Sequence, residues 1–184
     1  MERRGYLWQV IGYCLLFCLL TTQLVYAWPA HVMHIYDGDT MTVAPCGDET
    51  CPLFVRLYGI DAPELNQEFG QETRQWLVER LKLRSLIEVI PMGVDNYGRV
   101  IGLVAQHGSI LNAELVTKGY AWVSNSCVAM VCRSLSHAQK KAAKERIGLW
   151  AKDKPQAPWQ WRAQERGRQE QLPLMKPESV ELPK

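Results

Sequence analysis

The stretch Leu53-Phe54-Val55-Arg56-Leu57-Tyr58-Gly59-Ile60-Asp61-Ala62-Pro63-Glu64 decides the reading of this chain. Its first half, Leu53 to Tyr58, is rich in branched and aromatic residues and reads as a strand. Alternation puts Leu53, Val55 and Leu57 on one face and Arg56 on the other, between Phe54 and Tyr58. A guanidinium among aromatic rings needs an anionic partner, either a carboxylate or a phosphate. Asp61 and Glu64 follow where the strand ends. Pro63 holds Ala62 extended, which can turn the Ala62 carbonyl outward. A structural Arg–Asp ion pair is the plain reading of this cluster; a phosphate site is the functional one.

Upstream, His31 to Tyr36 and Thr40 to Ala44 read as two strands around Asp37-Gly38-Asp39, since Asp-Gly is a favoured hairpin turn. Downstream, Gln67 to Leu83 has helical spacing, with Phe69, Thr73, Trp76, Leu77 and Leu81 near one face. Ile87 to Pro91 and Val100 to Ala105 pair as strands around Asp95-Asn96-Tyr97-Gly98. Ile110 to Lys118 is a short helix stopped by Gly119, Tyr120 to Val123 a further strand segment, and Ser136 to Ile147 a helix stopped by Gly148. About five short strands with about three helices suit an α+β fold, a five-stranded Greek-key β-barrel of the OB type. They do not suit alternating parallel βαβ units.

The ends differ from this middle. Val10 to Leu20 is an unbroken run of apolar residues and glycine behind Arg3 and Arg4, about the length of a signal-peptide core. Val25-Tyr26-Ala27 offers small residues where a signal peptidase reads, so residues 1–27 are expected to be cut after Ala27 and the chain to be secreted or periplasmic. The rival is an uncleaved anchor facing outward, because a span of about 20 apolar residues could also cross a bilayer. The domain then runs over residues 28–162. Residues 163–184, rich in Gln, Glu, Arg and Pro, read as a disordered tail.

Of six cysteines, Cys14 and Cys18 lie in the apolar run. Cys46, Cys51, Cys127 and Cys132 remain, and in an exported chain they read as disulfides. Cys46–Cys51 and Cys127–Cys132 are the favoured pairings, each closing a short loop; a zinc site is the rival. The formal net charge is only +2, so bulk charge does not mark a nucleic-acid binder. The basic stretch Ser136 to Lys144 could touch nucleic acid, although such a face is more often simply solvated. None of His31, His34, His107 and His137 has the spacing of a metal or catalytic histidine. Local carboxylates and arginines must therefore carry any chemistry: hard oxygens for a cation, a base for water, and guanidiniums for a transition state gaining negative charge.

Asp37-Gly38-Asp39-Thr40, then Arg56 to Glu64, then Asp95-Asn96-Tyr97-Gly98-Arg99 resemble, in order and spacing, the three signature segments of staphylococcal nuclease and its thermonuclease relatives. The resemblance continues through Leu111-Asn112, Gly119 to Val123, Ala142-Ala143-Lys144, Gly148-Leu149-Trp150 and Pro158-Trp159-Gln160-Trp161-Arg162, so it spans roughly His31 to Arg162. It implies a Ca²⁺-dependent endonuclease that takes DNA and RNA, breaks the bond to the 5′ oxygen and leaves 3′-phosphate ends. It implies that Asp39 and Asp61 ligate Ca²⁺ by their carboxylates and Ala62 by its carbonyl, with Asp37 in the outer shell. Glu64 would act as general base or water orienter, and Arg56 and Arg99 would hold the scissile phosphate. A monomer with no stable protein partner is expected. One departure stands out: where relatives carry tyrosines that pack on the nucleotide, this chain has Ser124-Asn125-Ser126-Cys127. The alternative from another class is a non-catalytic nucleic-acid-binding module on the same barrel, but such relatives lose the carboxylates or arginines retained here.

Overall fold

The computed structural model describes residues 26–48 and 50–171. The signal or anchor expected at residues 1–27 therefore lies almost wholly outside the described residues. Among those that are described, no helix is long and apolar enough to cross a membrane.

Strands β1 (Trp28–Ile35), β2 (Thr40–Pro45) and β3 (Leu53–Leu57) form an antiparallel meander. The turn at Asp37-Gly38-Asp39 joins the first two. A short β4 (Ile60–Asp61) precedes helix α1 (Gly70–Arg80). Next come β5 (Leu86–Val94) and β6 (Val100–Gln106), a hairpin around Asp95-Asn96-Tyr97-Gly98-Arg99, and then β7 (Ser109–Ile110) with helix α2 (Leu111–Thr117). β8 (Trp122–Val123), helix α3 (Val131–Lys144), a 3-10 turn at Gly148–Ala151 and helix α4 (Pro158–Gln171) complete the order.

The main sheet runs β3-β2-β1-β5-β6-β7 and closes on itself where β3 pairs parallel with β6. β1, β2, β3, β5 and β6 thus make a closed five-stranded mixed barrel, which is the expected OB-type α+β fold, with four α-helices among the described residues. Alternate strand positions fill it: Val32, Met41, Val43, Val55, Leu57, Ile87, Val89 and Val104 are all buried. Helix α1 adds Leu77 and α2 adds Leu111, Leu115 and Val116 to the same core. Asn112, fully buried, ties α2 to the barrel through hydrogen bonds. Its Nδ2 donates to the carbonyls of Tyr58 at 2.8 Å and Gly102 at 3.3 Å, and its Oδ1 accepts from Val104 N at 3.0 Å.

Two expectations are corrected. Residues 163–171, read as the start of a disordered tail, continue helix α4. Gln, Glu and Arg are good helix formers as well as common disordered residues, and Pro158 at the first helical position starts the helix. Residues 172–184 lie outside the described residues. Cys127 and Cys132 form the expected disulfide, with S–S 2.01 Å and Cα–Cα 5.7 Å. Cys46 and Cys51 are instead free, exposed thiols on either side of the β2–β3 loop. Exposed chain between two antiparallel strands already in register needs no crosslink, so closeness in sequence was a poor guide there.

Candidate active site

Arg56 leaves the barrel side of β3 and lies between two carboxylates. Its Nη1 donates to Asp39 Oδ1 at 2.6 Å and its Nη2 to Asp61 Oδ1 at 2.9 Å. Strand pairing puts these groups together: Thr40 lies opposite Arg56 in the β2–β3 ladder, and the β4 segment carrying Asp61 follows β3 directly. Asp39 is almost wholly buried. Its Oδ1 also accepts the Thr40 hydroxyl at 3.0 Å, and its Oδ2 accepts the Ala62 backbone N–H at 2.9 Å. Asp37, in the same turn, accepts the Asp39 N–H at 2.9 Å and so fixes the backbone that aims Asp39.

Close packing holds this turn and the acidic loop together. A Cβ on Gly38 would collide with Thr73 Cγ2 of α1 and come within 2.7 Å of Ala62 Cβ. A Cβ on Gly70 would strike the Glu64 carbonyl oxygen. The loop from Asp61 to Gln67 is thus seated directly on the start of α1. Gln67 accepts the Glu64 N–H at 3.2 Å and donates to the Gln156 carbonyl at 2.7 Å.

Burial is the largest influence on Asp39 and pushes its carboxyl up to about 7; Arg56 opposes this, while Asp37 and Asp61 add to it. For Arg56, burial by itself would lower the guanidinium, but Asp39 and then Asp61 outweigh it and the net shift is upward. Among the described residues no three His, Cys, Asp or Glu side chains gather into a metal cluster. Asp39 and Asp61, joined through Arg56, offer two hard carboxylates. That set, with no sulfur or imidazole, fits a weakly held hard cation completed by water and substrate oxygens.

Arg99 is not drawn into this cluster. It immediately precedes β6, next to the parallel pair Val55–Val100, so both arginines border the β3–β6 seam. Its Nε, however, donates to Asp95 Oδ2 at 2.7 Å, and its guanidinium lies 5.6 Å from the Tyr97 ring centroid. Asp95 also accepts the backbone N–H groups of Tyr97 and Arg99. Desolvation is the largest single influence and pushes its carboxyl up, but these bonds together outweigh it and hold the carboxyl below the ordinary range.

Glu64, in the loop after Asp61, meets a residue not expected in the site. Arg162 of α4 donates Nη1 to Glu64 Oε1 at 2.7 Å and to Asp61 Oδ1 at 3.1 Å, and Nη2 to Asp61 Oδ2 at 2.7 Å. The hydrogen bond to Asp61 is the main cause of an upward shift of this guanidinium, against desolvation. The signal for Arg162 in the sequence was the Trp159-Gln160-Trp161-Arg162 run, where bulky aromatics beside a cation announce a docked segment. Trp159 does dock, edge-on to Trp122 at 5.6 Å, and Trp122 pairs with Asp61 in the β4–β8 ladder.

A closed OB-type barrel thus carries two buried carboxylates, Asp39 and Asp61, paired with the guanidiniums of Arg56 and Arg162 at one end. The family model described as "Staphylococcal nuclease homologue" matches residues 54–152, and the chain belongs to that family. It is 35% identical over 140 residues to the micrococcal nuclease of Shigella flexneri, covering 71% of this chain and 78% of that protein. It is 36% identical over 141 residues to a protein named an uncharacterized endonuclease in Haemophilus influenzae, covering 73% of each. It is 31% identical over 149 residues to Protein ParB of Escherichia coli, covering 76% and 82%.

Proposed function

We propose that this chain, a hydrolase of the nuclease class by its family, is an exported Ca²⁺-dependent endonuclease that cleaves DNA and RNA and leaves 3′-phosphate ends. The observation that carries this reading is the Arg56 guanidinium bridging Asp39 at 2.6 Å and Asp61 at 2.9 Å, with Glu64 in the adjoining loop. In this reading Asp39, Asp61 and the Ala62 carbonyl hold Ca²⁺, with Asp37 behind them. The bound ion would polarise the scissile phosphate and acidify nearby water.

Glu64 takes a proton from the attacking water, which adds to phosphorus in line with the departing 5′ oxygen. As the water oxygen adds and the 5′ oxygen leaves, taking a proton from solvent, negative charge builds on the non-bridging oxygens. Arg56 and Arg99 neutralise it by planar, two-point contact. Arg99 is tied to Asp95 in the structure, so substrate phosphate must exchange with Asp95 for that guanidinium. Residues 1–27 act as the export signal in this reading. Mass spectrometry of protein recovered outside the cytoplasm should find Trp28 at the N-terminus, and an intact Met1 there would remove the cleavage claim.

The test uses long single-stranded DNA and RNA with Ca²⁺ or excess chelator, and Glu64→Ala and Arg99→Ala in parallel. Ca²⁺-dependent cleavage should fall by about 10²-fold or more in each variant. A folded wild type that leaves both polymers intact at every Ca²⁺ concentration would overturn the reading.

A further inference from the structure

Arg162 lies beyond residue 152, where the family match ends, yet it makes three hydrogen bonds inside the acidic site. With Arg56 on Oδ1 as well, both oxygens of Asp61 hold guanidinium N–H groups. A hard cation uses those same oxygens. Asp37, Asp39, Asp61 and Glu64 put four carboxyl groups at this end of the barrel. Arg56 and Arg162 are the two guanidiniums paired with them there.

We propose that Arg162 is a tethered counter-cation, which holds Asp61 and Glu64 in the metal-free protein and must release Asp61 for Ca²⁺ to bind, so that helix α4 sets the Ca²⁺ affinity. This rests on the Ca²⁺ reading above. The rest of α4 is anchored without Arg162. Gln156 accepts from Gln67, Trp159 packs on Trp122, and Ala157 and Pro158 are buried. The Arg162 side chain is 38% exposed and can swing while the helix stays docked. Beside it opens a cavity of about 350 Å³ lined by Glu64, Trp161, Arg162 and Glu165, among others. Glu165, three residues along the helix, already pairs with Arg168 at 2.7 Å, so a released Arg162 guanidinium would turn to solvent or share that carboxylate.

The experiment is calorimetric titration of the purified protein with CaCl₂, without nucleic acid, for wild type, Arg162→Gln and Arg162→Lys. Removing a unit charge that competes at contact distance should lower Kd roughly tenfold in Arg162→Gln. Arg162→Lys, which keeps the charge and loses the two-point fork, should fall between that variant and wild type. An equal or higher Kd in Arg162→Gln overturns the proposal. A folded wild type that binds no Ca²⁺ sinks the Ca²⁺ reading itself. Ordinary wild-type binding with an unshifted Arg162→Gln sinks only the role of Arg162.

Discussion

Arg56 spans two carboxylates because a guanidinium is planar and presents two nitrogens side by side. An ammonium is a single point and cannot reproduce that bridge. Arg56→Lys should therefore lower stability by about 1–2 kcal/mol, read from the urea midpoint, and reduce cleavage by about 10²-fold. A variant with wild-type rate would show that positive charge alone suffices. Gly38 is constrained from the other side, since a Cβ there meets Thr73 and Ala62. Gly38→Ala should cost about 1–3 kcal/mol by overpacking; an unchanged midpoint would mean that the Asp37–Asp39 turn can shift freely. The pairing of Arg56 with nearby carboxylates was legible in the sequence, because a charge on a strand face must be compensated. The partner of Arg99 was not. Asp95 stands four residues before it, and only the hairpin geometry decides whether that carboxylate folds back onto the guanidinium.

Helix α2 is joined to the barrel by one buried amide. Asn112→Ala would strip partners from the Tyr58 and Gly102 carbonyls and the Val104 N–H, and should cost about 2–3 kcal/mol in a denaturant titration. A smaller loss would mean that water replaces the amide. At the edge of α3, Cys127–Cys132 closes a loop with a sequence separation of 5. Chain entropy for so short a loop amounts to about 2 kcal/mol. Reduction should lower the unfolding midpoint accordingly, and no shift on adding dithiothreitol would contradict a closed bridge. The elements were mostly legible from their periodicity, with ends displaced by a few residues: α3 starts at Val131 where the pattern suggested Ser136, because the disulfide loop feeds straight into it. Helix α4 was legible only as far as Arg162. Past that point no apolar face remains to announce a helix that propagates from its docked start.

Taken as one molecule, the protein carries a further two-point ion pair away from the acidic site. Arg80 donates to both oxygens of Glu114 at 2.8 Å, linking α1 to α2. The bond to Arg80 holds the Glu114 carboxyl below its ordinary 4.5. A depressed carboxyl stabilises the fold at pH above its unfolded value and loses that contribution as pH falls through the folded one. Glu114→Gln should therefore be less stable than wild type by about 1 kcal/mol at neutral pH, discounted for partial exposure. The gap should close well below pH 4.5. A gap that persists in acid would assign the loss to packing. The barrel class could be read from strand count and turn chemistry, but its closure could not. Side-chain alternation says which face of β3 is buried and is silent about which strand lies beside it.

That closure bears on how the chain acquires its chemistry in time. Val55, Arg56 and Leu57 pair with Val100, Ile101 and Gly102, segments separated by all of α1 and β5. Such non-local pairing closes late and places a fold among the slower folders, in the millisecond-to-second range. Until the seam zips, Arg56 is held by the local β2–β3 ladder alone, and the segment carrying Arg99 is not yet beside it. A chain whose seam is still open therefore carries Arg56 and Arg99 on segments that nothing yet joins.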